Sequence, residues 1–261
     1  MTHSKKQLQD DLRSLGVGPG DTLLMHSSYK SLGGTEEGAA GFYEVLLDLL
    51  GERGTLIIPT LSYRDVTREA PDFDVRATPS CVGYLTEFFR TGIPDARRSL
   101  HATHSCCVRG CLREEMIRGH ETDATPVGAH SPFRKLPEAG GKILFLGCSP
   151  DHNTSMHGVE ETVEPMRFID FDHELVYRIT DENGRVIERP SFRHHFGRPD
   201  GAYRQRYARV LDLLDGNEAR RGQVLDADCF LLDARAVWKK GREAMLRDPY
   251  CFVEWTPLQP A

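Results

Sequence analysis

No stretch of the chain approaches the roughly 20 apolar residues that a bilayer-spanning helix needs, and the start, MTHSKKQLQDDL, has no apolar segment of the kind a secretory leader carries. Both absences predict a cytoplasmic protein with no membrane partner. Charge of one sign is not in large excess, since 33 Lys+Arg stand against 39 Asp+Glu for a net charge of -6. That balance argues against nucleic acid as a partner and leaves room for a cationic ligand. The seven cysteines are odd in number and scattered, unlike the dense pattern of a disulfide scaffold, and read as reduced thiols. The chain has neither the Gly-x-x-x-x-Gly-Lys-Ser/Thr phosphate loop, nor Gly-x-Gly-x-x-Gly, nor the Gly-x-Ser-x-Gly elbow. Without an internal repeat or a low-complexity linker, the 261 residues are read as a single domain, 1–261.

What is present alternates between helical and strand patterns. Leu8, Leu12 and Leu15 recur at helical spacing after Ser4, which stands three residues before Gln7 as in a capping box, and Gly16 supplies a stop. Residues 22–25 form an apolar run that opens into the polar, glycine-ended segment 26–34. Thr35, Glu36 and Glu37 then start a helix whose Val45, Leu46, Leu49 and Leu50 face a core. Segments 54–59 and 142–147 are further buried-strand material, and a helix follows Pro79 with Ser80 as its N-cap. Residues 175–180 and 185–187 flank Asp181-Glu182-Asn183-Gly184, a hairpin signal that adds an antiparallel element to the sheet. Residues 201–215 and 233–247 read as helices. The predicted fold is α/β, with a mixed central β-sheet flanked by helices.

Segment 148–161 carries the clearest chemistry. Asn153 or Thr154 caps a helix there, which puts His157 in the first turn and Glu160 three residues later on the same face. A carboxylate on one ring nitrogen fixes the tautomer and leaves the other nitrogen as a base. The loop at a strand's carboxyl end is also where open α/β sheets place ligands. A surface His-Glu pair has the same spacing. Segment 26–34 sets hydroxyls, Lys30 and two glycines before a helix start, where N–H groups cradle phosphate, though an ordinary polar loop has that composition too. His101, His104, Cys106, Cys107 and Cys111 raise the question of zinc. Their spacing does not suit a structural site, and a strand over 103–108 would point alternate residues to opposite faces, so no metal is expected. Segment 128–136 has no catalytic spacing, and Arg193-His194-His195 reads as a solvated basic patch.

Taken in order, these segments resemble the aminoglycoside 3-N-acetyltransferase family. The carrying residues are His26-Ser27-Ser28-Tyr29-Lys30-Ser31-Leu32-Gly33, Gly54-Thr55-Leu56-Ile57-Ile58-Pro59-Thr60, Thr78-Pro79-Ser80-Cys81-Val82-Gly83 and Arg98-Ser99-Leu100-His101-Ala102-Thr103-His104-Ser105. Ser131-Pro132-Phe133-Arg134-Lys135-Leu136, Ile143-Leu144-Phe145-Leu146-Gly147 and Asn153-Thr154-Ser155-Met156-His157-Gly158-Val159-Glu160 complete the set, which runs from about residue 5 to about 255. The resemblance implies the fold of that family and transfer of acetyl from acetyl-CoA to the 3-amino group of a 2-deoxystreptamine antibiotic. It places acetyl-CoA along Ser27, Ser28, Lys30, Ser31, Leu32, Gly33, Ser80, Val82 and Gly83, with His104, Ser105, Phe133 and Lys135 completing the cofactor wall. It makes His157 the base and Glu160 its orienting partner. Ala102 stands where the family commonly has proline, and the surroundings of Cys106, Cys107 and Cys111 are unusually rich in thiols.

The chemistry is consistent with that assignment. Attack on a thioester needs a neutral amine, so a base must take its proton, and the tetrahedral intermediate needs donors on its oxygen, for which Thr154 and loop N–H groups are candidates. A polycationic acceptor needs carboxylates, and Glu160, Glu161, Glu164, Asp170 and Asp172 cluster in a stretch of thirteen residues following the base; Glu161, Asp170 and Asp172 are the substrate-binding candidates. A solvated acidic face has the same composition. The expected partner is a small cationic amine, and the chain is a monomer or homodimer. The alternatives are acetyl transfer to a non-antibiotic amine, a metal-dependent hydrolase built on His101, His104 and Cys106, and a CoA-binding protein without catalysis.

Overall fold

Ser4 accepts a hydrogen bond from the Gln7 N–H at 3.1 Å and caps helix α1 (Lys5–Leu15), which Gly16 ends in the left-handed conformation at φ 111°. Leu8, Leu12 and Leu15 are its buried face. The computed structural model describes residues 2–258; the first and the last three residues of the expected 1–261 domain lie outside the described residues. Beyond α1 come β1 (Thr22–Ser27), α2 (Gly38–Leu50), β2 (Thr55–Pro59), the short β3 (Asp72–Asp74), α3 (Tyr84–Gly92), β4 (Arg97–Arg98) and β5 (Cys106–Gly110). Helices α4 (Arg113–Ile117) and α5 (Pro132–Glu138), strand β6 (Lys142–Leu146) and helix α6 (Ser155–Glu161) follow. The chain closes with β7 (Ile169–Thr180), β8 (Val186–His194), β9 (Gly197–Arg198), β10 (Gly201–Gln205), β11 (Ala219–Val224), β12 (Ala227–Asp233), α7 (Ala234–Arg247) and β13 (Val253–Pro257).

Seven strands form the central sheet in the order β11-β12-β6-β1-β2-β5-β4. Strand β1 pairs in parallel with both β6 and β2, while β12 and β5 flank them antiparallel, so the sheet is mixed as expected. Alternation along the strands feeds two cores. Leu23, Met25, Leu56, Ile58, Leu144 and Leu146 pack against Leu8, Leu12, Phe42, Leu46 and Phe89 of α1, α2 and α3. Leu24, Ile57, Ile143 and Phe145 face the other way, against Phe133, Met156, Val159 and Val237 of α5, α6 and α7. Each such side chain contributes roughly 1.5–3 kcal/mol on burial. A slip of one residue would exchange the two faces, which pins the register.

Four local expectations change. Helix α2 starts at Gly38, after Glu37 adopts φ 59°, rather than at Thr35. Helix α3 starts at Tyr84 with Gly83 at its cap; Ser80 lies outside it, its N–H donating to Glu87 Oε2 at 2.8 Å. The hairpin forms, closed by the Asp181 N–H donating to the Arg185 carbonyl at 2.9 Å with Gly184 at φ 79°, but it does not join the central sheet. It pairs instead with β3, and Tyr177 and Ile179 build a satellite core with Val66, Phe73, Val75 and Ala102. The polar run Asp170, Asp172, His173 and Glu174 is incompatible with burial between helices. Residues 201–205 are a strand rather than helix, paired antiparallel with β13, where Tyr203 meets Trp255 at 4.9 Å between ring centroids. Residues 233–247 form α7 as expected, capped by Asp233.

Candidate active site

The carboxyl ends of β6, β1 and β2 lie side by side, and the connections leave β1 and β6 to opposite sides of the sheet, the place where open α/β sheets bind ligands. The Ser28 N–H donates to the Leu146 carbonyl at 2.8 Å, which ties the end of β1 to that of β6. Gly147, at φ 66°, is needed there: a Cβ on it would sit 2.8 Å from Ser31 Cβ and 3.1 Å from Ala227 Cβ. The 3-10 turn Tyr29–Leu32 therefore closes tightly over β6, with Ser28 Oγ and Ser31 Oγ at 2.8 Å. A cavity of about 740 Å³ opens above these strand ends.

Helix α6 brings His157 into this cavity. Asn153 Oδ1 accepts from the Ser155 N–H at 3.2 Å and from Ser155 Oγ at 2.8 Å, so of the two expected caps the Asn153 side chain does the capping; Thr154 has helical φ and ψ and makes no cap bond. His157 follows in the first turn, and its Nδ1 lies 3.0 Å from Glu160 Oε2. Tyr207 completes the grip, with its hydroxyl 2.9 Å from His157 Nδ1 and donating to Glu160 Oε1 at 2.9 Å. Burial, and after it the Glu160 charge, holds the Tyr207 phenol well above its ordinary value, so the hydroxyl keeps its proton. That proton goes to Glu160, which leaves Tyr207 and Glu160 as acceptors for an Nδ1–H on His157. Nε2 is then the nitrogen with a free lone pair. The ring has His194 4.1 Å away and His104 6.0 Å away between centroids. Burial, and then the neighbouring imidazoles, pushes both of those well below 6.5, so His157 sits among neutral rings.

Ser27, Ser28, Val82, His104, Thr154 and His157 of the expected set line the cavity, and Glu160 stands directly behind His157. Lys30, Ser31 and Gly33 are exposed on the turn after Ser28, and Leu32 beneath them is buried in the core. Ser80 and Gly83 flank the lining residues Cys81 and Val82. Three residues expected in the cofactor wall do not line the cavity, because each has a structural partner elsewhere. Ser105 is buried between Arg98 Nε and the Thr60 carbonyl, both at 2.8 Å. Phe133 is wholly buried in the α5 core, and Lys135 Nζ donates to the carbonyls of Glu115 and Arg118 at 2.8 and 2.6 Å.

The expected substrate carboxylates are not brought to the cavity either. Glu161 is buried, accepting from Thr125 Oγ1 at 2.6 Å and the Val127 N–H at 2.9 Å, and burial raises its pKa. Asp170 and Asp172 leave with the hairpin, where Asp170 pairs with His173 at 3.0 Å. The charged residues that do line the cavity are Arg64, Arg193 and Asp151, alongside five histidines. Arg193 was read as part of a solvated patch; its guanidinium donates to the Tyr63 and Val66 carbonyls at 2.8 and 3.0 Å. His101 and Cys106 do not join His104 as a ligand set. His101 Nδ1 accepts the N–H groups of Thr103 and His104, and burial drives the Cys106 thiol well above 9.0. Sequence reasoning missed Tyr207 and His194, and no local pattern marks them: Tyr207 lies 47 residues beyond Glu160 and inside a stretch that reads as helix.

A family model described as aminoglycoside 3-N-acetyltransferase matches residues 24–246. Aminoglycoside N(3)-acetyltransferase VII of Streptomyces paromomycinus is 28% identical over 272 residues, covering 90% of this chain and 88% of that one. Aminoglycoside N(3)-acetyltransferase IV of Salmonella sp is 34% identical over 161 residues, 60% of this chain and 58% of that protein's length. Among solved structures, a mutant of AAC(3)-IVa in complex with a gentamicin matches with a TM-score of 0.80 and 25% identity, covering 100% of this chain and 93% of that one. AAC-IIIb, solved as a binary complex with CoASH, shares the fold at a TM-score of 0.81 and 24% identity over 95% of this chain and 97% of that one. No helix among the described residues is long and apolar enough to cross a membrane.

Proposed function

This chain belongs to the aminoglycoside 3-N-acetyltransferase family, and we propose that it transfers the acetyl group of acetyl-CoA to a primary amine with His157 as general base. The observation that carries this reading is the grip of Glu160 and Tyr207 on His157 Nδ1, which leaves Nε2 as the free nitrogen of a residue in the cavity wall. His157 Nε2 takes the proton from the amine as its nitrogen attacks the thioester carbonyl, and Glu160 favours the imidazolium as it forms. When the tetrahedral intermediate collapses, the carbon–sulfur bond breaks and the proton passes to the departing thiolate. The intermediate's oxygen needs donors. Asn153 Nδ2 is buried without a hydrogen-bond partner in the cavity wall, beside Thr154, and both are assigned to this role. Removing one such donor typically costs about 3 kcal/mol. Ser27, Ser28 and Val82, with Lys30 and Ser31 on the adjoining turn, are assigned to the acetyl-CoA side.

For the acceptor, family membership supports the 3-amino group of a 2-deoxystreptamine aminoglycoside, and turnover of such a compound would make the protein a resistance determinant. A second reading, acetyl transfer to a non-antibiotic amine, is favoured by the cavity's charge. A polycation calls for several carboxylates, and Arg64 and Arg193 face it against Asp151 alone. Thiol release from acetyl-CoA against aminoglycosides and simpler amino sugars, with the acetylated position read by NMR, tests both. Acetylation of the 3-amino group supports the first acceptor, and turnover confined to the simpler amines supports the second. Binding of acetyl-CoA with no turnover of any amine would overturn the assignment of His157.

A further inference from the structure

His104, His157 and His194 come from three separate parts of the chain: the turn before β5, the first turn of α6 and the last residue of β8. They converge in one wall of the cavity, where one nitrogen from each lies within 4.8 Å of the others. Two of the three rings have their other side backed by an oxygen at hydrogen-bond distance, and the third has a carboxylate oxygen beyond that distance. Thr103 Oγ1 is 2.9 Å from His104 Nδ1, Glu160 Oε2 is 3.0 Å from His157 Nδ1, and Glu161 Oε1 is 3.5 Å from His194 Nε2. Metal-ligating histidines have such partners behind them, because an oxygen on one nitrogen orients the ring and makes the other a better ligand. Acetyl transfer with a single base uses one imidazole and leaves the other two unaccounted for. His194 Nε2 is buried without a hydrogen-bond partner, outside bonding geometry to Glu161.

We propose that His104, His157 and His194 form a site for one divalent transition-metal ion of the zinc class, and that metal binding and acetyl transfer exclude each other at His157. Three nitrogen ligands with a fourth position open to a cavity is a donor set that suits zinc. Metal–nitrogen bonds of about 2.1 Å put tetrahedral ligands roughly 3.4 Å apart, so the three rings close inward by at most about 1.4 Å on binding. The ion takes the lone pair that otherwise accepts the amine's proton. The metal site stands on this geometry alone; only the exclusion rests on His157 as the base.

The test is titration of the full chain, first stripped with EDTA, with Co²⁺. The site predicts one ion per chain by equilibrium dialysis and visible absorption of imidazole-bound tetrahedral cobalt, without the near-ultraviolet thiolate band that the cysteines would produce. His104→Ala and His194→Ala should each weaken binding by about 10-fold or more, at least the loss seen when a ligand's outer partner is removed. Undiminished affinity in both variants, or a thiolate band, places the ion elsewhere and overturns the site. Should the variants fail to fold, diethyl pyrocarbonate labelling of the unsubstituted chain decides the matter, because bound Co²⁺ must protect His157 and His194 and unchanged labelling of both overturns the site. Stoichiometric Zn²⁺ should lower thiol release about 10-fold or more, reversibly with EDTA. Full turnover by the metal-loaded chain would sink the exclusion, whereas absence of turnover from the metal-free chain would sink the acetyltransferase reading and leave the cobalt result standing.

Discussion

Lowering the pH from 7.5 to 5 should strip the folded state of much of its stability, because the protein buries imidazoles that it cannot protonate. Burial, and then His152, pushes His26 down to about 3, and burial pushes His101 down to about 4, from an ordinary value of 6.5. His101 Nδ1 accepts two backbone N–H groups and would lose both on taking a proton. His26 lies against Phe145 with its ring planes 9° apart and its Nε2 unpartnered. A histidine depressed in the folded state binds its proton first in the unfolded chain, so stability falls as pH drops below 6.5 towards the folded values. Holding each ring neutral about 1.5 pH units below its unfolded value costs about 2 kcal/mol, or about 4 kcal/mol for the two at pH 5. His104, His120 and His194 are depressed in the same direction, chiefly by burial. Domains of this kind have about 5–15 kcal/mol in total, so the transition from folded to unfolded should approach pH 5. Urea unfolding followed by circular dichroism between pH 8 and 5 measures the loss. Asp123 and Glu161, raised by burial, act oppositely as the pH falls through their values, so the comparison with a His26→Phe, His101→Asn double variant isolates the imidazoles. That variant should lose about 4 kcal/mol less over the range. A flat stability from pH 8 to 5, or an equal loss in the double variant, would refute the reasoning.

Catalysis offers four further tests. His157→Ala should lower kcat by about 10²-fold or more with the KM for acetyl-CoA little changed, the signature of a lost base, and full activity would remove it from the mechanism. Tyr207→Phe deletes the hydroxyl between Glu160 and His157, at a cost of about 1–3 kcal/mol for the buried carboxylate; kcat should fall about 10-fold and the pH–rate profile should move, and an unmoved profile would make Tyr207 merely structural. Asn153→Ala removes both the α6 cap and the free amide, so kcat should drop by about 10²-fold while urea unfolding shows a loss of only about 1 kcal/mol. Lys30→Ala and Ser31→Ala should raise the KM for acetyl-CoA with kcat retained, as fits ground-state binding, and an unchanged KM in both would detach the turn from the donor side.

The central sheet was legible because its signals are local. The apolar runs at 22–25, 54–59 and 142–147 have no other way to bury themselves, and they became β1, β2 and β6, the parallel centre of the sheet. Ser4, Gly16 and Asp233 act at helix ends as their side chains or backbone freedom require. The misread segments are those whose local pattern has two solutions. Residues 201–205 alternate weakly and are strand only because β13 supplies a partner from fifty residues later. The hairpin was recognised from its turn, but its destination depended on the three-residue β3, too short to leave a periodic trace.

The same division runs through the candidate site. His157 and Glu160 share a face because a helix has 3.6 residues per turn, and the caps before them start that helix, so the pairing of this imidazole with its carboxylate was determined by the sequence alone. The family followed from the order of the motifs. Tertiary structure alone set Tyr207 against both residues, turned Glu161 inward, carried Asp170 and Asp172 away on the hairpin and gathered His104, His157 and His194 into one wall. These are contacts between elements separated by dozens of residues. Their geometry depends on which faces the two cores bury, and no spacing along the chain encodes it.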